Sequence, residues 1–154
     1  MGPREGSHTG TVRLIRNHPG PDTLERINNF FYRRLWTDSR DKPGRANHIK
    51  FSLRYVDAWL NIDEHWRICF PHPFFNVPNP MVCAHFFQVE FIQGYPEIEK
   101  WGDIAKELRD KVLSECDMKD AAIEFTCKRN NGVISAFYPP EVTKDELKAM
   151  FAGE

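Results

Sequence analysis

The sequence predicts an α+β fold, a single domain in which helices pack on a mixed or antiparallel sheet. A β-hairpin is indicated near the carboxyl end, where apolar and polar residues alternate on both sides of the turn sequence Asn130-Asn131-Gly132. Two other segments have apolar residues at helical spacing. The 154 residues suit one domain with one hydrophobic core.

The first third of the chain reads as an arm, a strand and a helix. Residues 1–10 are polar and Gly-rich, so we expect an arm that is flexible or held by a partner, and residues 11–154 form the predicted domain. Residues 11–15 predict a short strand. A helix should follow the turn at His18-Pro-Gly-Pro21, because apolar residues then recur at intervals of three and four. This stripe consists of Leu24, Ile27, Phe31 and Leu35.

The middle of the chain changes to a period of two, which is typical of strands. Alternation over residues 49–62 predicts a long strand, and its apolar parity changes between Tyr55 and Val56, which suggests a β-bulge. Residues 66–70 could return as the second strand of a hairpin. Residues 71–80 contain four prolines and predict a proline-rich aromatic loop. Another strand is expected over residues 87–91.

The last third predicts a helix, a hairpin and a final helix. The first of these helices has a buried stripe of Trp101, Ile104, Ala105, Leu108, Val112 and Cys116. The hairpin strands are expected at 121–128 and 133–138. Proline residues then stop the second strand, because proline cannot donate to a ladder. Thr143 and Glu146 have the spacing of a capping box and predict a terminal helix that carries Leu147, Met150 and Phe151.

Composition limits the functional classes. The chain has 21 Lys and Arg against 22 Asp and Glu, a net charge of −1, whereas a dedicated nucleic-acid binder usually has a basic excess. No stretch approaches the ~18 apolar residues of a membrane span, so we expect a soluble or peripheral protein. The four cysteines have no CxxC spacing, which favours reduced thiols and an intracellular location.

A zinc site is the best chemical hypothesis that the sequence offers. Cys69, His72, Cys83 and His85 flank the proline-rich loop as two Cys/His pairs. Thiolate and imidazole are preferred zinc ligands, and four of them complete a tetrahedron. The alternative is that these are buried cysteines and structural histidines. We therefore expect no cofactor, with zinc as the alternative.

Motifs for catalysis are missing from the sequence. There is no G-x-S-x-G elbow and no Gly-rich phosphate loop. Asp63-Glu64-His65 places two carboxylates next to an imidazole, which could serve in acid–base catalysis or bind a metal. The segment also has the composition of a solvated hairpin turn. We therefore predict no catalytic residues and a protein that is not an enzyme, with an enzyme or zinc module as the alternative.

The proline-rich loop is also a candidate partner interface. If its apolar side chains were exposed, they would form a patch of the kind that marks protein contacts, and the prolines would lower the entropy cost of docking. The alternative is that the loop covers a face of the sheet. The residues concerned are Phe70, Phe74, Phe75, Val77 and Met81.

RNA contact is a third possibility, because the first 45 residues are the basic part of the chain. Arg33, Arg34 and Arg45 are the candidate phosphate contacts. Phe30, Tyr32 and Trp36 lie among them and could stack on bases, provided that they are exposed. Most such basic runs are simply solvated faces.

The carboxyl-terminal pattern resembles a small thioredoxin-like family whose members are accessory subunits of mitochondrial respiratory complex I and of the mitochondrial ribosome. The similar parts are the hairpin 123–137 with its Asn-Gly turn, the Thr143-x-x-Glu146 segment, and the opening strand and helix. Asn17-His18 stands where the complex I member has a cysteine. The middle, residues 49–120, is longer than such a domain needs. The resemblance implies a thioredoxin-like arrangement, with a ferredoxin-like one as the alternative.

We therefore expect a non-catalytic accessory or structural subunit of a larger multi-protein assembly. The resemblance implies mitochondrial location on the matrix side, and the near-neutral charge favours a respiratory complex over a position embedded in rRNA. The expected partners are other protein subunits, with RNA as a further possibility.

Overall fold

The computed structural model describes residues 11–12, 19–40, 49–61, 68–69 and 81–141. These residues form strands, two α-helices and two short 3₁₀ turns, Ile98–Lys100 and Leu113–Cys116. In chain order the elements are β1 (Thr11–Val12), α1 (Pro21–Arg40), β2 (Lys50–Asn61), β3 (Ile68–Cys69), β4 (Met81–Gln93), α2 (Trp101–Lys111), β5 (Ala122–Arg129) and β6 (Gly132–Tyr138).

All six described strands belong to one mixed sheet, with the order β3-β2-β4-β5-β6. β2 runs antiparallel to β4, β5 runs parallel to β4 after the crossover through α2, and β6 returns antiparallel to β5. β1 also pairs parallel to β4, at Met81 and Val82. The predicted α+β class with helices on a mixed sheet is confirmed, and both halves of the chain contribute to the same sheet.

Both helices pack on one face of this sheet and form the main core with it. The predicted stripe of α1 is buried at Ile27, Phe31 and Leu35. Phe125 of β5 lies fully buried at the centre. Its ring contacts four other aromatic rings at centroid distances of 5.5–6.0 Å, those of Phe31, Phe91, Trp101 and Tyr138. Aromatic pairs in such tilted and edge-to-face geometries stabilise a core beyond their area burial.

The opposite face of the sheet has a smaller apolar cluster. Phe86 is fully buried there and contacts Phe137 edge to face. Val56 also packs against this cluster. β2 has apolar side chains on both faces, since Tyr55 packs against the main core and Val56 against the small cluster, and this explains the parity change between them.

The β-bulge predicted at that parity change is therefore wrong. The pairing of β2 with β4 continues without a shift from Phe51 to Asn61, and the irregularity lies between Lys50 and Phe51. A change of apolar parity indicates a bulge only in a strand with one buried face. In β2, Tyr55 and Val56 simply point to the two different sides of the sheet.

The hairpin between β5 and β6 has a two-residue loop. Asn130 and Asn131 have φ values of 52° and 67°, the left-handed conformation that both central residues of a type I′ turn require. Gly132 begins β6 and pairs with Arg129. The hairpin is confirmed, with strand limits within one residue of the prediction.

Other predictions lie outside the described residues. They concern the arm at 1–10, the first strand beyond Val12, the loop 71–80 and the terminal helix beginning near Thr143. These remain predictions. Within the part of the chain that the structure covers, no helix is long and apolar enough to cross a membrane.

Candidate functional site

The outer face of α1 carries two large aromatic side chains. Tyr32 is 64% exposed and Trp36 is 53% exposed. Residues four apart on a helix lie on the same face, one turn from each other. The two rings therefore form an apolar surface on the flank of α1, next to the buried stripe that contains Phe31 and Leu35.

The sheet fixes the position of one of these rings. The ring of Tyr32 packs against that of Phe51 on β2 with a centroid distance of 5.1 Å. Phe51 in turn contacts Phe31 at 5.4 Å, which is fully buried. Tyr32 thus rests on the core while most of its surface faces solvent, so little side-chain entropy would be lost if a partner covered it.

A groove of about 700 Å³ lies between α1 and α2, and Arg33, three residues before Trp36 on the helix, is part of its wall. Phe30 and Val112, both buried, provide its apolar floor. Its walls are mainly charged. The residues that line the walls are Arg26, Asn29, Arg33, Arg34, Glu107, Lys111 and Glu115.

Ion pairs line the groove, and the pair between Arg34 and Glu107 joins the two helices. The Nε of Arg34 donates to Glu107 Oε2 at 2.9 Å, and Lys111 Nζ donates to Glu107 Oε1 at 3.3 Å. Arg26 forms an ion pair with Glu115. Half of the cationic charge in the groove is therefore balanced by carboxylates of the same chain, since two glutamates face four cationic side chains.

Glu107 is ionised more strongly than an ordinary glutamate. Burial acts to raise its pKa, but the hydrogen bonds and charges of Arg34 and Lys111 outweigh burial, and the pKa of Glu107 lies below its ordinary value of 4.5. The groove therefore keeps its ion pairs at neutral pH, and it presents two carboxylates among four cationic side chains, Arg26, Arg33, Arg34 and Lys111.

Two of the three predicted RNA contacts, Arg33 and Arg34, line this groove. Arg33 is exposed, and its Nε also donates to the carbonyl oxygen of Asn29 at 3.4 Å. Arg34 is half-buried and is paired with Glu107. Arg45 lies outside the described residues.

Of the aromatic residues considered with them, Phe30 is buried, whereas Tyr32 and Trp36 are exposed. The sequence predicts a role for these two rings only as residues that stack on RNA bases, not as a protein interface. The helical period does predict that both rings are exposed, because Tyr32 and Trp36 fall outside the buried stripe of α1.

The predicted zinc ligands are only partly described. His72 lies outside the described residues. In the strand register, Trp59 pairs with Cys69 on one side and with Cys83 on the other, so β2 separates the two cysteine Cα atoms by about 10 Å. Two cysteines that bind one zinc ion hold their sulfur atoms about 4 Å apart. Cα atoms separated by about 10 Å make that sulfur distance difficult to reach.

His85 is the one predicted zinc ligand whose side chain is described. It is buried, and its Nδ1 lies 2.6 Å from the hydroxyl of Tyr55. Within the described residues no cluster of three or more His, Cys, Asp or Glu side chains could hold a metal ion. The four-ligand site nevertheless stays a prediction, because the side chains of its other members are not described.

The predicted loop interface also stays a prediction. Phe70, Phe74, Phe75 and Val77 lie outside the described residues, and Met81 is described only as the first residue of β4. The surface on α1 is consequently the best-defined candidate interface. In comparisons with known proteins, no family model, curated protein or solved structure significantly matches this chain.

Proposed function

We propose that the protein is a non-catalytic accessory subunit of a multi-protein assembly, and that it binds a neighbouring subunit through the exposed face of α1. The observation that carries the proposal is the exposure of Tyr32 and Trp36 on one helical face, with Arg33 beside them. Tyr, Trp and Arg are the residue types that dominate binding energy at protein interfaces.

The charge around these rings indicates the kind of surface that would fit them. Arg33 borders the aromatic pair, and Arg26 and Lys111 lie farther along the same groove. A complementary partner would present an apolar centre for the two rings and carboxylates at its rim. Such a rim would steer association and fix orientation more than it would raise affinity.

The nature of the assembly is inferred from the resemblance alone. The thioredoxin-like accessory subunits of respiratory complex I suggest a mitochondrial respiratory complex, with the protein on the matrix side. The near balance of 21 basic and 22 acidic residues favours protein neighbours over an RNA-embedded position.

The test is to express tagged wild-type protein and a Tyr32→Ala/Trp36→Ala variant in the natural source and to fractionate native extracts by size. We expect the wild type to migrate far above 18.0 kDa with a constant set of companion proteins. The double variant should lose these companions, because truncating two central aromatic residues typically costs several kcal/mol of binding energy, about 2 kcal/mol or more for each.

A matched control is available on the opposite face of the sheet. Ile92 is 65% exposed, and Ile92→Ala should leave the companions in place. Migration of the wild type without companions would refute the accessory-subunit proposal. Loss of companions in the control variant as well would show that the α1 face has no special role.

Single-stranded RNA is the second candidate, since exposed aromatics next to cations also form stacking platforms. Here Tyr32 and Trp36 would stack on bases while Arg33 contacts phosphate. A labelled oligonucleotide should then bind the wild type more weakly as salt rises, and the double alanine variant should bind at least tenfold more weakly. Binding that is insensitive to both changes would exclude this function.

A further inference from the structure

β6 is the last strand of the sheet, and one of its edges faces outward. It pairs with β5 over residues Gly132 to Tyr138, and the strand order ends there. Among the residues that the structure describes, no strand pairs with the other edge of β6. The backbone groups on that side therefore need another partner, either water or a second strand.

The composition of β6 is unusual for an edge strand. Its seven residues, Gly-Val-Ile-Ser-Ala-Phe-Tyr, contain no charge and no proline, and its pairing with β5 has no bulge. Natural edge strands normally carry at least one of these features, because each discourages pairing with another chain. Val133 is 68% exposed. Within β6 itself these three protections are absent, and its composition is that of an interface.

The hairpin geometry identifies which residues present their backbone groups to the outside. In a hairpin with a two-residue type I′ loop, the residues that flank the loop form a hydrogen-bonded pair, and such pairs then alternate along the ladder. Arg129 and Gly132 are that first pair. The N–H and C=O groups of Val133, Ser135 and Phe137 consequently point away from β5.

We propose that this edge pairs with the same edge of a second copy of the chain, in the antiparallel direction, to give a symmetric dimer with one continuous sheet. The register that uses all three outward residues places Ser135 opposite Ser135 of the second copy, on the two-fold axis. Val133 then lies opposite Phe137. This register makes about six hydrogen bonds between the chains, two for each directly opposed pair.

The side chains of β6 suit this self-pairing. On the face of the small cluster, the exposed Val133 would cover the half-buried Phe137 of the other copy, an aromatic and β-branched pair of the kind that stabilises sheets. On the helix face, Ile134 would lie opposite Ala136. Both are half-buried at the margin of the main core, so pairing would extend that core across the two-fold axis.

The charges at the two ends of β6 also favour an antiparallel second copy. Lys128 and Arg129 stand at the turn end, and Glu141 follows the other end; all three side chains are exposed. A two-fold axis at Ser135 brings the turn end of one chain beside the Glu141 end of the other. Parallel pairing would place like charges together instead.

The mass of the full-length protein in solution tests this proposal. We expect light scattering after gel filtration to give twice the 18.0 kDa of one chain. Ser135→Lys and Ser135→Glu should each give monomers, because two like charges would meet on the axis. An equimolar mixture of the two variants should restore the dimer, and the conservative Ser135→Thr variant should remain dimeric.

Amide hydrogen exchange provides a second measurement that needs no substitution. In the dimer, the amides of Val133, Ser135 and Phe137 should exchange as slowly as that of the inward-facing Ala136. Fast exchange at these three amides, a monomeric wild type, or a dimer that persists in both charged variants would overturn the proposal. Binding of an extended peptide by a monomeric wild type would likewise assign the edge to a different partner.

The dimer proposal is independent of the accessory-subunit proposal. The β6 edge and the α1 surface involve different elements, and Ser135→Lys leaves Tyr32 and Trp36 unchanged. Failure of the dimer would appear in the mass of the purified protein alone. Failure of the proposed function would appear only in native extracts, as the absence of companion proteins from the wild type.

Discussion

The guanidinium of Arg109 on α2 donates a hydrogen bond to the carbonyl oxygen of Ala121, immediately before β5, at 2.6 Å. It also donates to the carbonyl oxygens of Lys119 at 2.7 Å and Pro139 at 3.0 Å. Arg109 is only 5% exposed, so these bonds satisfy a buried cation. One side chain thus joins α2, the approach to β5 and the end of β6.

Replacing Arg109 should destabilise the fold. Arg109→Met keeps much of the side-chain volume but leaves three carbonyl oxygens without this donor, and we expect a loss of about 2 to 4 kcal/mol in the free energy of unfolding. Urea denaturation followed by circular dichroism would measure it. Lys106→Ala on the same helix breaks only an exposed ion pair with Asp110 and should have a much smaller effect, because solvent screens such a pair. Equal losses in the two variants would contradict this account.

Substitutions in the turn between β5 and β6 should change stability according to how well the new residue adopts the left-handed backbone conformation. Asn131 has a φ of 67°, so Asn131→Ala should cost about 1 kcal/mol because its Cβ opposes the left-handed conformation. Asn131→Gly should be tolerated, since Asn-Gly is the preferred type I′ sequence. The urea midpoints of the two variants would check the order, and a more stable alanine variant would argue against a type I′ turn.

The ion pairs of Glu107 should make stability depend on pH in the acidic range. Its pKa is lower in the folded state than its ordinary value of 4.5, so the contribution is complete above the unfolded pKa and is lost as pH falls through the folded pKa. Unfolding free energies measured from neutral pH downward should therefore converge for the wild type and Glu107→Gln below about pH 4.5.

Arg34→Met provides the matched control for this pH dependence, because it removes the cation at 2.9 Å from Glu107 without changing the carboxylate. In the Arg34→Met background, the effect of Glu107→Gln on the free energy of unfolding should change less with pH than it does in the wild-type background. An undiminished pH dependence would mean that other groups produce it.

Metal analysis should decide the zinc hypothesis. Because β2 lies between Cys69 and Cys83, we expect purified protein to contain well under one equivalent of zinc and Cys83→Ser to have the same metal content. The measurement is elemental analysis of protein prepared without chelators. One zinc per chain that disappears in Cys83→Ser, but not in Cys127→Ser, would instead support a zinc module.

Much of the fold could be predicted because local patterns determine it. The stripes on α1 and α2 followed the helical period, and the β5–β6 hairpin followed from strand alternation around two asparagines. These signals lie within short segments. The parity change at Tyr55 and Val56 does not mark a bulge, because an apolar cluster lies on each face of the sheet. The second cluster is formed with residues of β4, β5 and β6, so the sequence of β2 alone does not reveal it.

The candidate sites were harder to predict because they depend on tertiary contacts. The sequence does not indicate that Arg109 is buried against carbonyl groups from positions 119, 121 and 139. Nor does it reveal that Glu107 would compensate Arg34, a residue 73 positions away. The exposure of Tyr32 and Trp36 was accessible in principle, since it follows from the same helical period that places Phe31 in the core.

The pairing of Asn61 with Met81 has a consequence for how this chain can vary. Directly paired residues of antiparallel strands lie about 5 Å apart, so the segment 62–80, of which Ile68 and Cys69 form β3, begins and ends at nearly the same point of the sheet. Because the entropy of loop closure changes only slowly with length, that segment could grow, shrink or be exchanged while β2 and β4 keep their register. The base of this segment is thus a natural junction at which one scaffold could acquire different recognition sequences during evolution.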